Sequence, residues 1–444
     1  MMTHARGRRI SARTATMLVI ASTIGTGAFT TTGLLLDDLG GAMPVMIVWA
    51  LGGVLAMCGA LAYGELTAAM PENGGEYALL SRIYHPAVGF VSGWISLVVG
   101  FSAPMAAAAI AFGAYLEPLV PGVDSKLWAI GLILVFSGVH ATGARGGARF
   151  QDAITALELG LVALLAIVGL ALGEPSRALE LGRGSLGGLA TSGRLAVGLV
   201  WVSFSYTGWN AVAYVAGEVK DPERTLPRAL LGGTAVVTCL YVALNAAFLA
   251  SAPPSVLAGE VDVAQVAARH LLGPEVGVVV GAVVAVGLAT TVGAIAITGP
   301  RVYEQMGLDH PRLAWLTTSR AGARGPVRAS VLQTGIALAL AATATFDALL
   351  TYIGFTLAIS NALTLAGVFV MRAREPAMSR PYRAWGHPWT TAVAIALSVW
   401  MTVHTLWQRP IAALVGLATI VIGLLLYVVL SERSDLGGRV TRAA

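Results

Sequence analysis

The stretch Ile24-Gly25-Thr26-Gly27-Ala28 interrupts the middle of the first hydrophobic segment, which runs from about Met17 to Leu36. Two glycines within three residues weaken a helix at that point. A bilayer core holds no water, so an unwound stretch there presents its N–H and C=O groups to whatever lies at the midplane. Two interpretations are open from this segment alone. It is a backbone binding site for a small zwitterion, or its glycines let a neighbouring helix approach closely.

The composition is that of a polytopic α-helical membrane protein. Of the 444 residues, 56% are hydrophobic and 11% are charged, whereas about a quarter of the residues of a soluble domain are charged. Apolar runs of about 20 residues without a period of two predict helices rather than the strands of a barrel. The basic start leads directly into a full-length apolar segment, so we expect no cleavable signal peptide. Cys58 and Cys239 both fall in apolar segments, which argues against a disulfide framework.

Apolar windows of about 20 residues predict twelve membrane spans. Their approximate limits are 14–36, 43–69, 87–116, 127–142, 150–172, 195–217, 229–251, 275–300, 328–346, 350–371, 388–408 and 410–430. The remaining ends form short tails at 1–13 and 431–444, and the loops are too short to fold as domains. The predicted fold class is therefore an all-α polytopic membrane protein.

The distribution of basic residues predicts the orientation of these spans. With both termini in the cytoplasm, only six of the 28 lysines and arginines lie outside: Lys126, Arg177, Arg183, Arg194, Arg269 and Arg409. This excess of positive charge on the inner side is what the positive-inside rule requires. The net charge of +5 therefore reflects topology, and we expect no nucleic-acid partner. The predicted location is the cell (inner or plasma) membrane.

The sixth span contains a second candidate break, Phe204-Ser205-Tyr206-Thr207-Gly208-Trp209-Asn210, at a depth similar to that of the first. Spans one and six open two successive five-helix units, 14–172 and 195–371, and they enter the membrane from opposite sides. Interrupted segments at corresponding places of two inverted units are the best sequence indication of a transporter's central site. This pairing favours the binding-site interpretation of the first break.

The sequence lacks the patterns of competing classes. The seven histidines show no metal-site spacing, and no cluster of acids or histidines within a span indicates a membrane-embedded enzyme. A GxxxxGK[ST] loop is missing too, so ATP-driven transport by this chain alone is not expected. We therefore expect no catalytic residues, no cofactor and no metal.

Several stretches resemble the amino acid–polyamine–organocation (APC) superfamily of permeases. They are Ile24–Phe29, similar to the family's G-[ST]-G-I-F, then Tyr63–Leu66, Pro71–Tyr77, Gly93-Trp94, Gly217–Arg224 and Pro227–Ala229, with weaker matches at Arg301–Tyr303 and Arg380–Tyr382. The resemblance extends through all twelve spans. It implies the LeuT-type fold, a 5+5 inverted repeat followed by two additional helices at 388–430.

The resemblance also implies that an amino acid lies between spans one and six. Its carboxylate would accept hydrogen bonds from N–H groups of the first break, at the start of a half-helix. Its amine would face carbonyl groups near residues 23–24 and 204–205. The implied substrate-binding residues are Thr23, Ile24, Gly25, Thr26, Gly27, Phe204, Ser205, Tyr206, Gly208 and Trp209.

The aromatic residues among these have alternative roles. Phe204 corresponds to the aromatic side chain with which the family covers the substrate from outside, but it could equally be an ordinary packing residue. Tyr206 and Trp209 are candidate pocket walls, although phenol and indole groups also anchor helices.

Glu158 is the most informative single residue because it lies near the middle of span five. It follows Arg149 by nine residues, which is roughly 13 Å along a helix that crosses a core about 30 Å thick. A carboxylate at that depth costs a few kcal/mol unless it is protonated, paired or hydrated. Many members of the family that the chain resembles carry a lysine here, in a pattern like L-T-x-L-K, where this chain has Ile154–Glu158. The role of that lysine therefore does not transfer.

Three roles for Glu158 are open from the sequence. It is a proton carrier for coupled transport, an attractor of a sodium ion or of a cationic substrate group, or a permanently protonated hydrogen-bonding side chain. Thr290 and Thr291 of span eight could supply hydroxyl oxygens to a cation nearby. These three residues are the candidate ion-coupling residues.

The sequence thus predicts a secondary transporter of amino acids or related amines that works by alternating access around the two breaks. One alternative is an exchanger that swaps related amines without net ion flow, and another is a non-transporting sensor on the same fold. Spans eleven and twelve lie outside the repeats and face lipid or a second copy, so the protein is expected to be a monomer or a homodimer. The scarcity of deep acids favours neutral substrates.

Overall fold

A computed structural model describes residues 10–141, 148–182, 186–317 and 326–432. Within these ranges the chain is helical, and its only strand-like pairings are two isolated bridges, Ile10 with Val219 and Asn73 with Val215. Most of the two predicted tails lies outside the described residues, as do the predicted cytoplasmic residues Arg145, Arg320 and Arg324.

The α-helices are numbered in chain order. The first nine are α1 (Ala12–Thr23), α2 (Thr26–Leu39), α3 (Ala42–Ala69), α4 (Gly75–Ile83), α5 (Pro86–Ile95), α6 (Ala103–Leu116), α7 (Ser125–Ala141), α8 (Ala148–Leu172) and α9 (Leu186–Thr191). The others are α10 (Arg194–Ser205), α11 (Pro222–Ser251), α12 (Pro254–Leu257), α13 (Val263–Leu272), α14 (Pro274–Asp309), α15 (Val327–Thr343), α16 (Phe346–Arg374), α17 (Trp389–Gln408) and α18 (Pro410–Glu432). A π-helical stretch, Ser96–Ser102, joins α5 to α6 without a break.

These helices make the chain a multi-span membrane protein. Eight helical segments among the described residues are long and apolar enough to cross a bilayer, if α1 with α2 and α5 with α6 are each taken as one segment. Shorter apolar helices, α7, α8, α10 and α15, occupy the positions of the other four predicted spans. The all-α prediction is confirmed, while the count of twelve stays a prediction.

The structure differs from the sequence-derived spans at three places. The helix of span six stops at Ser205, because the residues after it form turns and short 3₁₀ segments. The helix α14 continues past Pro300 to Asp309, and α11 begins at Pro222, ahead of the apolar window. A hydropathy window ends at the first charges, whereas a helix continues as long as its backbone hydrogen bonds do.

Two groups of packed helices surround the breaks. In one, α11 packs against α1, α3 and α8, and in the other, α14 packs against α6, α7 and α15. The half-helix α10 lies against α2, α3, α16 and α17. Both breaks are therefore enclosed by protein, which is where irregular backbone is tolerated at membrane depth.

The faces of α17 and α18 that no other helix covers are apolar. Trp389 and Trp407, at opposite ends of α17, are 77% and 79% exposed, and Ile411 of α18 is 80% exposed. Tryptophans at both ends of an apolar helix are typical of residues at the two bilayer interfaces.

Candidate substrate site at the paired helix breaks

The first break separates α1 from α2, as the sequence predicts. Ile24 and Gly25 are extended, and the Ile24 N–H closes α1 by donating to the Ile20 carbonyl. Thr26 and Gly27 open α2, so their N–H groups have no preceding helical carbonyl to bind. A Cβ added to Gly25 would meet no atom within 4 Å, so the backbone faces open space there. The break therefore offers free N–H groups beside a space that a ligand could fill.

The second break follows Ser205, the last residue of α10. Gly208 has a φ of 98°, a left-handed conformation that residues with a Cβ rarely adopt. A Cβ at this position would also overlap the carbonyl oxygen of Ser22 in the last turn of α1. Both the conformation and the contact with α1 require glycine at position 208.

The two breaks are in direct contact. A Cβ on Gly27 would lie 2.6 Å from the Cα of Ser205, and the hydroxyl oxygens of Thr31 and Ser205 are 3.0 Å apart. The structure therefore brings Gly27 of span one against Ser205 of span six, two of the residues that the sequence assigns to one site. Gly27 fits the close-packing interpretation of the glycine pair, whereas Gly25 leaves the space that the binding interpretation needs.

The aromatic residues of the second break have different neighbours. Phe204 is buried, with 5% of its surface exposed. The Tyr206 hydroxyl donates to the Trp49 carbonyl at 3.2 Å. The Trp209 and Tyr63 rings meet edge-on, with their centroids 4.8 Å apart. Tyr206 and Trp209 are thus held by α3, and their role as pocket walls stays a prediction.

The comparison with known proteins supplies the family. Residues 10–430 match the family model described as "Amino acid permease". The chain belongs to the amino acid permease family. The resemblance to the APC superfamily in the sequence is thereby confirmed.

Relatives of this permease cover most of its length. It is 28% identical over 426 residues to the human "Large neutral amino acids transporter small subunit 2", covering 92% of this chain and 78% of the relative. It is 27% identical to the "Serine/threonine exchanger SteT" of Bacillus subtilis, covering 90% and 92%. Identity to the mouse "Asc-type amino acid transporter 1" is 25%, covering 94% and 80%.

A tyrosine that the sequence patterns did not single out holds the first break of the permease. Tyr241 of α11 donates its hydroxyl hydrogen to the carbonyl of Thr23 at 2.7 Å. The Thr23 hydroxyl is itself bonded to the Val19 carbonyl at 2.7 Å. The only sequence signal was a phenol inside an apolar helix, where a buried hydroxyl usually needs a partner.

A cavity of about 40 Å³ lies on another side of the second break. Its lining comes from α3, α10 with the turns after it, α16 and α17, and includes Ser203, Thr207 and Asn361. Residues of α1 and α2 do not line it, so it is separate from the open space at Gly25. Its volume holds no more than a few waters.

A buried carboxylate ties the second break to α3, α4 and α16. Glu76 of α4 accepts hydrogen bonds from the Tyr63 hydroxyl at 2.5 Å, the Asn210 amide at 3.0 Å and the Ser360 hydroxyl at 2.9 Å. Burial raises the pKa of the Glu76 carboxyl, and these three hydrogen bonds oppose that shift. The sequence patterns gave no sign of this contact because its partners are far apart in the chain.

Further contacts join α3 to α16 and to the segment that follows α16. Arg372 of α16 donates to both oxygens of Glu65 at 2.8 and 2.7 Å, and Arg380 lies 3.6 Å from the same carboxylate. A Cβ at Gly64 would lie 3.1 Å from the Tyr382 ring. Two of the stretches that resemble the family, Tyr63–Leu66 and Arg380–Tyr382, are therefore in contact with each other.

Ion pairs also link the end of α2 to the start of α10. Asp38 near the end of α2 pairs with Arg194 at the start of α10 at 3.9 Å, and with Arg409 at 3.4 Å. Arg409 also lies 3.8 Å from Asp347 of α16. These ion pairs link the end of α2 to the start of α10 and, through Arg409, to α16.

The three candidate ion-coupling residues meet at Gly287 of α14. Glu158 is buried, and a Cβ added to Gly287 would overlap its Oε1 atom. The hydroxyls of Thr290 and Thr291 donate to the Gly287 carbonyl at 2.8 and 3.1 Å. Among the described residues none donates a hydrogen bond to Glu158, and none forms an ion pair with it. The carboxylate is therefore buried without a compensating charge in this part of the chain.

Proposed function

We propose that this permease moves neutral amino acids across the membrane by alternating access around its two helix breaks. The observation that carries the proposal is the direct contact between the breaks at Gly27 and Ser205, with open space beside Gly25. The names of the relatives, which include a transporter of large neutral amino acids and a serine/threonine exchanger, support neutral substrates. The twelve apolar helical segments support the proposed 5+5 inverted repeat with two extra helices, with both termini in the cytoplasm of a cell-membrane protein.

In the proposed complex, the amino acid's carboxylate binds the free N–H groups of Thr26 and Gly27, where the helix dipole also favours negative charge. The amine binds carbonyl groups of the half-helix ends. Tyr241 already occupies the Thr23 carbonyl, so the carbonyls of Ile24 and Ser205 are the better candidates. Phe204 closes the site from outside.

The proposed coupling ion is a proton carried by Glu158. This carboxylate is buried, and no cation among the described residues faces it. Protonation removes the charge and so lowers the free-energy cost of burying the carboxyl group at this depth. A sodium ion held with Thr290 and Thr291 is the alternative for the same residues.

Exchange without net ion flow is the second candidate function, because one relative is named an exchanger. Purified permease in liposomes distinguishes the two. Under proton coupling, an inward proton gradient drives uptake of radiolabelled serine or leucine into vesicles that contain no amino acid, and Glu158→Gln abolishes the effect of the gradient. Under exchange, uptake requires unlabelled amino acid inside.

Three outcomes would count against these proposals. Uptake that ignores the gradient, together with an unimpaired Glu158→Gln variant, would refute proton coupling. Gradient-driven uptake into empty vesicles would refute obligatory exchange. Substrate binding without any flux under either condition would identify a sensor rather than a transporter.

A further inference from the structure

Three glycines of α14 each face a side-chain oxygen from a different neighbouring element. The pairs are Gly281 with Gln265 of α13, Gly287 with Glu158 of α8, and Gly299 with Gln333 of α15. In each pair the oxygen occupies the position that a Cβ would take. A glycine Cα, with two hydrogens, allows this approach and contributes a weak C–H···O contact.

The contact at Gly287 involves more than the tip of the glutamate. Besides Oε1, the Cδ and Cγ atoms of Glu158 would lie 3.0 and 3.1 Å from an added Cβ. Glu158 is only 8% exposed, so its side chain has little room to move aside. A methyl group at position 287 would therefore displace the whole end of the side chain.

The other two pairs have a similar close approach but involve a neutral side chain. Gln265 and Gln333 are 3% and 1% exposed, and their Oε1 atoms have no hydrogen-bond partner among the described residues. Both side chains are neutral, so moving them changes packing but not the position of an ionisable group. Only Gly287 faces a carboxylate, and only its carbonyl accepts the hydroxyls of Thr290 and Thr291.

We propose that Gly287 is a positioning residue for Glu158: the missing side chain lets the carboxylate lie against α14, in the turn that carries Thr290 and Thr291. The inference rests on the proposed coupling role of Glu158. Under this proposal the two positions depend on each other: a side chain as long as that of Glu158 fits only if residue 287 has no side chain.

The experiment compares Gly287→Ala with Gly281→Ala and Gly299→Ala, which make the same change in the same helix against a neutral amide oxygen instead of a carboxylate oxygen. In liposomes, Gly287→Ala should lower the ratio of uptake with and without a proton gradient by about fivefold or more, within the range of coupling between contacting residues. The two control variants should keep that ratio even if their thermal stability falls.

A second substitution at position 158 distinguishes a positioning role of Gly287 from a packing role. Glu158→Asp shortens the side chain by one methylene group and withdraws the carboxylate from the added methyl. The double variant Gly287→Ala/Glu158→Asp should respond to the gradient more strongly than Gly287→Ala alone. If Gly287→Ala fails to fold, recovery of folded protein in the double variant supports the same contact.

Two results would overturn the inference while leaving proton coupling in place. One is an equal loss of gradient response in all three glycine variants, and the other is a double variant no better than Gly287→Ala in response or in folding. An unimpaired Glu158→Gln variant is a different result. It would refute the coupling proposal itself, and the positioning role with it.

Discussion

Gly25 and Gly27 stand two residues apart, yet their surroundings differ. The Cβ position of Gly27 is filled by Ser205, whereas that of Gly25 is empty. The sequence alone could not separate these cases, because a G-x-G pattern shows neither which way each Cα faces nor what lies opposite. The contrast makes Gly25 the residue at which binding can be tested without disturbing helix packing.

Gly25→Ala should weaken substrate binding by about tenfold or more, equivalent to about 1.4 kcal/mol, because its methyl group enters the space proposed for the ligand. Stability should change little, since Gly25 has an extended conformation that alanine adopts, and the loss of a glycine N-cap costs about 1 kcal/mol at most. Substrate-induced thermal shifts measure the affinity, and the melting temperature without substrate measures the stability.

Gly232→Ala is the control, because its Cβ also meets no atom but lies on the exposed side of α11. Equal affinities in the two variants would contradict a ligand site at Gly25.

Asp262, before α13, gives the protein a predictable dependence on pH. Burial, with the nearby Glu260 carboxylate, raises the pKa of Asp262 from 3.8 to about 6. A carboxyl whose pKa is higher in the folded state stabilises the fold while it is protonated, and that contribution is lost as the pH rises through about 6. The melting temperature of the wild type should therefore fall, relative to that of Asp262→Asn, between about pH 4 and pH 7. Asp37→Asn, at an exposed position, should show the same pH dependence of the melting temperature as the wild type. If Asp262→Asn also had the pH dependence of the wild type, this role of the Asp262 carboxyl would be excluded.

At the level of helices, the sequence predicted where the breaks lie better than it predicted their form. The glycines and the aromatic cluster located both breaks, but hydropathy extended span six to residue 217, whereas α10 ends at Ser205. Hydropathy measures transfer from water and carries no information about backbone hydrogen bonding. Glu76 and Tyr241 were missed for a related reason, since each acts through partners at least 13 residues away in the chain and no local pattern encodes such contacts.

The tie between α4 and the second break should contribute measurably to stability. In Glu76→Gln the amide nitrogen replaces one accepting oxygen, so at least one of the donors Tyr63, Asn210 and Ser360 loses its partner inside the protein. An unsatisfied buried donor costs about 1–3 kcal/mol, and the melting temperature in detergent should fall by several degrees. The neighbouring Glu72 is exposed, so Glu72→Gln is the same chemical change without the burial. A Glu76→Gln variant as stable as Glu72→Gln would show that the hydrogen bonds of Glu76 do not contribute to stability.

For the molecule as a whole, fold and orientation follow from different properties of the sequence. Apolar helices at all twelve predicted positions reflect the requirement that every backbone group in lipid be satisfied within the protein. The proposed orientation follows from the asymmetry of lysine and arginine, which is a property of the loops and not of the packed core. The proposed inverted relation of the two breaks depends on both, because an odd number of spans between them would place both half-helices in the same direction.

Cysteine accessibility tests that topology directly. In a background with Cys58→Ala and Cys239→Ala, single cysteines are placed at four exposed positions: Lys126→Cys and Glu260→Cys, predicted outside, and Glu223→Cys and Arg383→Cys, predicted inside. A membrane-impermeant maleimide should label the first two in intact cells and the last two only after permeabilisation. The two positions predicted outside are several predicted spans apart, and so are the two predicted inside. A single miscounted span therefore reverses the labelling of every position after it. Labelling of Glu223→Cys from outside would mean an odd number of spans before α11, and the two breaks could not then belong to inverted repeats.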